Sequence, residues 1–312
     1  MDLTSVFFSI ITMTIMIIIG AIIEIKLKTD RKVKETIVFI IVNFAVPALI
    51  LNGFFKSEVD HKVLSIFGMM IISSLLVNNL GIGTGFLIAK LFKFSNYDAR
   101  LIGVVAGLGN SGFIGIALCA SIFGPIGGVY ASFYDVGTAL TVFSLGIFLL
   151  QKQMTFTWKN LKKVMNMPVI ACFLGLLFIL LGYKPPVVVM QLIHNLSGLA
   201  SPLAMFYIGI LIPNTLKVIK NNLYIKQTFL PLIIRLMIIP SITIFFIKYL
   251  QINDVLKEMI IILSAMPTIL LVSVFFDKYG HDKNFGIMSV IYSTVCSLCT
   301  IPLIAILTKN IL

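Results

Sequence analysis

The chain carries little charge, and most of it is positive. Its 12 acidic and 24 basic residues are spread over 312 positions, so only 12% of the chain is charged, against roughly 25% in a soluble domain. With 59% hydrophobic residues and a mean hydropathy of +1.08, its surface cannot be kept in water. That excludes a soluble fold and points to helices that face lipid and one another. Other absences narrow the function. There is no Gly-Lys pair, hence no P-loop and no ATP-driven pump. Cys119, Cys172, Cys296 and Cys299 all lie in apolar runs and read as small hydrophobes, and Cys296-x-x-Cys299 has no basic activator beside it. His61, His194 and His281 have no metal-site spacing, so no metal or cofactor is expected. No nucleophile–base pair is evident, which argues against an enzyme. The start, Met1-Asp2-Leu3-Thr4, lacks a basic n-region, and the apolar run to Ile23 exceeds a signal-peptide core; it is read as a retained first span.

A bilayer core is about 30 Å thick and takes roughly 20 apolar helical residues to cross. Hydropathy predicts spans at 4–25, 36–55, 63–90, 101–122, 128–150, 167–183, 187–213, 228–249, 258–276 and 286–307. With the first residue outside, the inner loops hold 17 basic residues and the outer ends 6, with Arg235 left inside a span. This is a positive-inside bias, so the net charge of +12 reports topology and attraction to anionic lipid rather than nucleic acid. An even span count puts both termini outside. The basic loop 151–166 then divides the chain into two five-span halves, 1–150 and 167–312, and an odd number of spans per half makes the halves inverted repeats. Pro47 through Gly53 in the second span and Pro202 through Gly209 in the seventh each run from a proline through an apolar stretch to a glycine.

The fourth span contains Gly103, Gly107, Gly109, Asn110, Ser111, Gly112 and Gly115, a poor continuous helix. Broken backbone at membrane depth is tolerated only inside protein or along a cavity. The ninth span carries Ser264-Ala265-Met266-Pro267-Thr268, where proline removes a backbone donor. These are equivalent positions in the two halves, and matched interruptions mark a transporter's binding site. The competing reading of the glycines is close helix packing. Gly107-x-Gly109-x-x-Gly112 matches a dinucleotide fingerprint but has no βαβ context. Asp135 and Arg235 lie within spans and are candidates for ion coupling or charge pairing. Asn43 and Asn52 in the second span, and Asn78-Asn79 in the third, either line a pathway or bond between helices.

Several stretches resemble the auxin efflux carrier family, which includes bacterial malate or malonate permeases. They are Asn43-Phe44-Ala45-Val46-Pro47-Ala48-Leu49, Gly109 through Gly115, Ser201-Pro202-Leu203-Ala204 through Gly209, Arg235 to Pro240, Met266-Pro267, and Ser293-Thr294 leading to Ile301-Pro302. The resemblance implies an all-α membrane protein of ten helices in two inverted repeats, with crossing, broken fourth and ninth helices. It implies a scaffold part that dimerises and a transport part that moves against it like an elevator. Asn110, Ser111, Pro267 and Thr268 are its site positions. Two departures are plain: Ile116-Ala117 stands where the family often has proline, and the long cytoplasmic loop of some plant members is missing.

The sequence thus predicts a multi-pass secondary transporter in the cytoplasmic membrane that moves a small organic anion, a carboxylate. The substrate-binding set is Asn110, Ser111, Gly112, Met266, Pro267, Thr268, Asn43 and Asn52. H+ or Na+ is the candidate coupling ion, uniport fits as well, and a homodimer is expected. The alternative is a membrane-embedded ligand sensor using the same site, against which stands the lack of a segment long enough for an output domain.

Overall fold

A computed structural model describes residues 3–56, 63–151, 162–182, 185–218 and 223–311. Among these the secondary structure is helical apart from turns and one isolated bridge. In chain order the helices are α1 (Leu3–Leu27), α2 (Arg31–Lys56), α3 (Val63–Leu91), α4a (Asn96–Gly107), α4b (Ser111–Phe123) and α5 (Pro125–Leu150). They continue with α6 (Met167–Leu180), α7 (Val187–Ser197, then Ala200–Val218) and α8 (Leu223–Ile233, Ile234–Ile238 and Ile239–Ile247). The last are α9a (Asp254–Ser264), α9b (Leu271–Lys278) and α10 (Lys283–Ile311). Six helices among the described residues are long and apolar enough to cross a bilayer. Neither half of α4 or α9 is.

Local chemistry sets the helix starts. Side-chain oxygens of Asp30, Ser95, Asn166 and Asn253 accept from Val33, Asp98, Val169 and Val255 amides at 2.8, 3.0, 3.1 and 2.8 Å, each satisfying a donor the helix leaves free. Pro125 opens α5, and Pro186 precedes α7, positions where a missing N–H costs nothing. These caps extend α4, α5 and α9 beyond their hydropathic limits, to Asn96, Pro125 and Asp254. Asp135 therefore sits ten residues into its helix, about 15 Å deep, farther in than the sequence predicts. Residues 152–161 of the predicted linker 151–166, and His61, lie outside the described residues.

α1 packs along the second part of α7, and α3 lies against α4a and α5. The C-terminal part of α2 meets α5, α6 and the first part of α7, while α10 meets α8 and α9b. Leu76, Leu80, Leu87, Phe245 and Phe246 stand exposed on the outer faces, as in a surface solvated by acyl chains. Polar residues lie inside. Asn78 donates to Ser74 Oγ and to Thr138 Oγ1, both at 3.1 Å, joining α3 to α5. Asn79, by contrast, faces outward and donates to its own helix at Leu75.

The turns cluster by charge. His281, between α9b and α10, bonds the Leu150 carbonyl at the end of α5 and the Tyr97 hydroxyl at the start of α4a. One surface recess joins Arg31, Lys34 and Glu35 of α2 to Ser273 and Val274 of α9b. The α1–α2, α3–α4 and α9–α10 turns therefore share one end of the molecule, with Lys90, Lys93, Arg100 and Lys278 nearby in sequence. Glu24, at the end of α1, is only 4% exposed. The turn folds back so that Thr29 and Lys34 bond its carboxylate, Lys34 at 3.1 Å.

Asn78→Ala is expected to lower thermal stability in detergent by about 1 kcal/mol, the size of an interhelical polar contact in a membrane. Asn79→Ala is expected to leave it unchanged, and equal effects would remove the α3–α5 bridge from the core.

Candidate functional site

The two interruptions meet. Chain breaks 108–110 and 265–270 run antiparallel: the Asn110 amide donates to the Pro267 carbonyl at 2.7 Å and the Ile269 amide to the Leu108 carbonyl at 2.9 Å. Gly109 and Thr268 form the single bridge between them. Thr268 adds two ties, its hydroxyl donating to the Val105 carbonyl (3.1 Å) and its amide to Ser293 Oγ (3.0 Å). Backbone polar groups freed by Pro267 and the glycines are thus paired away from lipid, where each would cost several kcal/mol.

Below the crossing, α4a and α9a present their C-terminal carbonyls to one side chain. Arg235, 1% exposed, donates from Nε to the Met266 carbonyl at 2.7 Å and from Nη1 to the Gly107 carbonyl at 2.9 Å. A helix C-terminus carries partial negative charge, and hydrogen bonds to a charged group contribute about 1.5–3 kcal/mol each. The guanidinium sits against Gly109, where any Cβ would stand 1.9 Å from Nη2. Asp135 is not its ion-pair partner. That carboxylate accepts from Ser111 Oγ at 2.7 Å, and Thr138 Oγ1 lies 3.0 Å from the same hydroxyl. Gly112 abuts it, with a Cβ placed only 2.8 Å from Oδ2. The apparent dinucleotide fingerprint is therefore a packing pattern, its glycines admitting Arg235 and Asp135.

Above the crossing, α4b and α9b begin. Asn110 caps α4b by accepting from the Phe113 amide at 3.2 Å, and its Nδ2 has no partner in the described chain. Nor do the amides of Gly112, Leu270 and Leu271. All four residues line a cavity of about 260 Å³, with Asp135, Thr138 and Asn166 its other polar residues and Val38, Val42, Val46, Phe113 and Phe143 among its apolar walls. Three walls are widened, π-type turns at Ile41–Ala45, Ser111–Gly115 and Val142–Gly146, a form common at functional sites. A larger recess of about 760 Å³ shares Val38, Val42, Leu270 and Leu271 with it and ends at Arg31, Lys34 and Glu35. The route into the site thus runs from the basic end.

The profile described as membrane transport protein matches residues 5–160 and, separately, 154–305. The chain belongs to that family. It is the auxin efflux carrier-like family its motifs resemble. An uncharacterized transporter of Methanothermobacter thermautotrophicus is 24% identical over 296 residues, covering 95% of this chain and 96% of its own. An uncharacterized transporter of Methanocaldococcus jannaschii is 24% identical over 270 residues, covering 85% and 86%.

Of the residues this family member was expected to use, Asn110, Ser111, Gly112, Asp135, Met266, Pro267, Thr268 and Arg235 converge on the crossing. Asn43 lines only the outer recess and donates to its own helix at Phe39 (2.9 Å). Asn52 is not among the cavity-lining residues. The sequence reading did not single out Thr138 or Asn166, and named Ser293 only within a family motif. Thr138, one helical turn after Asp135, was findable from i,i+3 spacing, whereas Asn166 and Ser293 come from distant helices.

Gly109→Ala is expected to destabilise the protein by about 1–3 kcal/mol, as overpacking does. Gly83→Ala, with no atom within 4 Å of its added Cβ, is expected to be neutral or stabilising. A neutral Gly109→Ala in thermal unfolding would mean the guanidinium is not seated on it.

Proposed function

We propose that this transporter is a secondary carrier for a small organic anion, a carboxylate, which it binds at the crossing and moves by elevator-like alternating access. The observation that carries this reading is the pair of helix N-termini, α4b and α9b, whose unpartnered amides line one cavity midway along the molecule. Such termini favour negative charge. A broken-helix pair beside a cavity is the usual plan of a carrier site.

On this reading all ten helical segments take part in crossing the bilayer, as two inverted halves with both termini outside. The opposed directions of α4 and α9, and the two separate profile matches, support it. The basic end then faces the cytoplasm and the cavity is open inward. Asp135 faces the same cavity with no cationic side chain among the lining residues. A bound carboxylate would be repelled by it, so the substrate is taken up with a proton on Asp135. No catalytic step is assigned to the protein, and it functions as a homodimer.

Flux into proteoliposomes, with a panel of labelled mono- and dicarboxylates and imposed proton, sodium and potential gradients, tests this directly. At least one carboxylate should accumulate, and Asn110→Ala should abolish that flux while costing no more stability than a lost helix cap, about 0.5–2 kcal/mol. Tight binding with no flux or counterflow would instead mark a sensor. Asp135→Asn should remove the acceleration of uptake at low external pH; an unchanged pH profile would exclude Asp135 from coupling.

A further inference from the structure

In broken-helix carriers, unwound carbonyls and half-helix C-termini are the groups that hold a coupling sodium ion. In this protein those groups already have a cation. Gly107 O, at the C-terminus of α4a, and Met266 O, in the second break, both accept from the Arg235 guanidinium, at 2.9 and 2.7 Å. The guanidinium has 1% exposure and rests on the backbone at Gly109. We propose that Arg235 is a tethered counter-cation standing where a coupling sodium ion would sit, so that the chain fills its own sodium position permanently.

Three features fit a built-in cation better than a mobile charge. The side chain reaches from α8 to carbonyls 31 and 128 residues away in sequence, bridging the two broken helices beside the crossing's backbone bonds and the Thr268 hydroxyl. Arg235 also lies within the π-type turn Ile234–Ile238. Its acceptors are carbonyls, which a single positive charge satisfies as a metal ion would, and among the described residues no carboxylate is bonded to it. Unlike an ion, the guanidinium cannot leave with the substrate. The half-helix carbonyls are therefore neutralised in every state of the cycle. For the transport reading, on which this one consequence rests, a sodium gradient supplies no drive.

The test needs no substrate, so its failure is separable from failure of the transport reading. Full-length purified protein is followed by thermal unfolding and by binding of radiolabelled sodium. Wild type should show the same midpoint in sodium chloride and choline chloride of equal ionic strength, with no saturable sodium binding. Arg235→Ala should melt lower and be restored in part by methylguanidinium or sodium, but not by choline, and should acquire saturable sodium binding. Saturable sodium binding by wild type, or an Ala variant indifferent to both small cations, overturns the proposal. Arg235→Lys covers the case in which the Ala variant does not fold. It keeps a tethered charge and should fold, melt lower than wild type and stay indifferent to sodium; a sodium response in it overturns the proposal equally.

Discussion

Two backbone hydrogen bonds organise this molecule, Asn110 N–H to the Pro267 carbonyl and Ile269 N–H to the Leu108 carbonyl. Each helix break alone would expose polar backbone in the middle of an apolar body. Paired antiparallel, the breaks satisfy one another, and the helix halves are sorted by polarity. The C-terminal ends of α4a and α9a gather on Arg235, while the N-terminal ends of α4b and α9b open on the cavity. Negative and positive poles are thus separated across one short crossing. Glycine is required wherever a charged side chain touches it: at Gly109 for Arg235 and at Gly112 for Asp135.

That polarity explains how one site can be rigid and still admit a ligand. On its carbonyl side Arg235 bonds the Gly107 and Met266 carbonyls, and Thr268 bonds Val105 through its hydroxyl and Ser293 through its amide. On its amide side Asn110 Nδ2 and the amides of Gly112, Leu270 and Leu271 are unpartnered beside a mostly apolar cavity. An anion could replace what the chain leaves unmet there. Asp135 is the exception, a carboxylate beside donors that favour negative charge, held by the Ser111 hydroxyl.

Much of this was legible in the sequence because lipid imposes simple rules. Long apolar runs separated by basic loops predicted the helices, and the lack of charge excluded every soluble class. Gly109-Asn110-Ser111-Gly112 and Met266-Pro267-Thr268 marked the breaks because such residues are costly in an unbroken span. What the pattern could not convey was which groups would face each other. Arg235 read as a buried charge in search of an acid, yet its partners are two carbonyls, which carry no side-chain signature. Asn52 was placed in the binding set beside Asn110, yet it lies in the C-terminal part of α2, more than a helical turn beyond Val46, the last α2 residue that lines the cavity. Helix ends were misplaced where capping by Ser95 or Asn253 carries a helix past its apolar limit.

Amide hydrogen exchange resolved to single residues tests the crossing most directly. In detergent or nanodiscs, the Asn110 and Ile269 amides should exchange slowly although they lie outside regular helix, while those of Gly112, Leu270 and Leu271 should exchange fast. Fast exchange at Asn110 and Ile269, or no contrast between the two groups, would contradict the paired breaks on which the site depends.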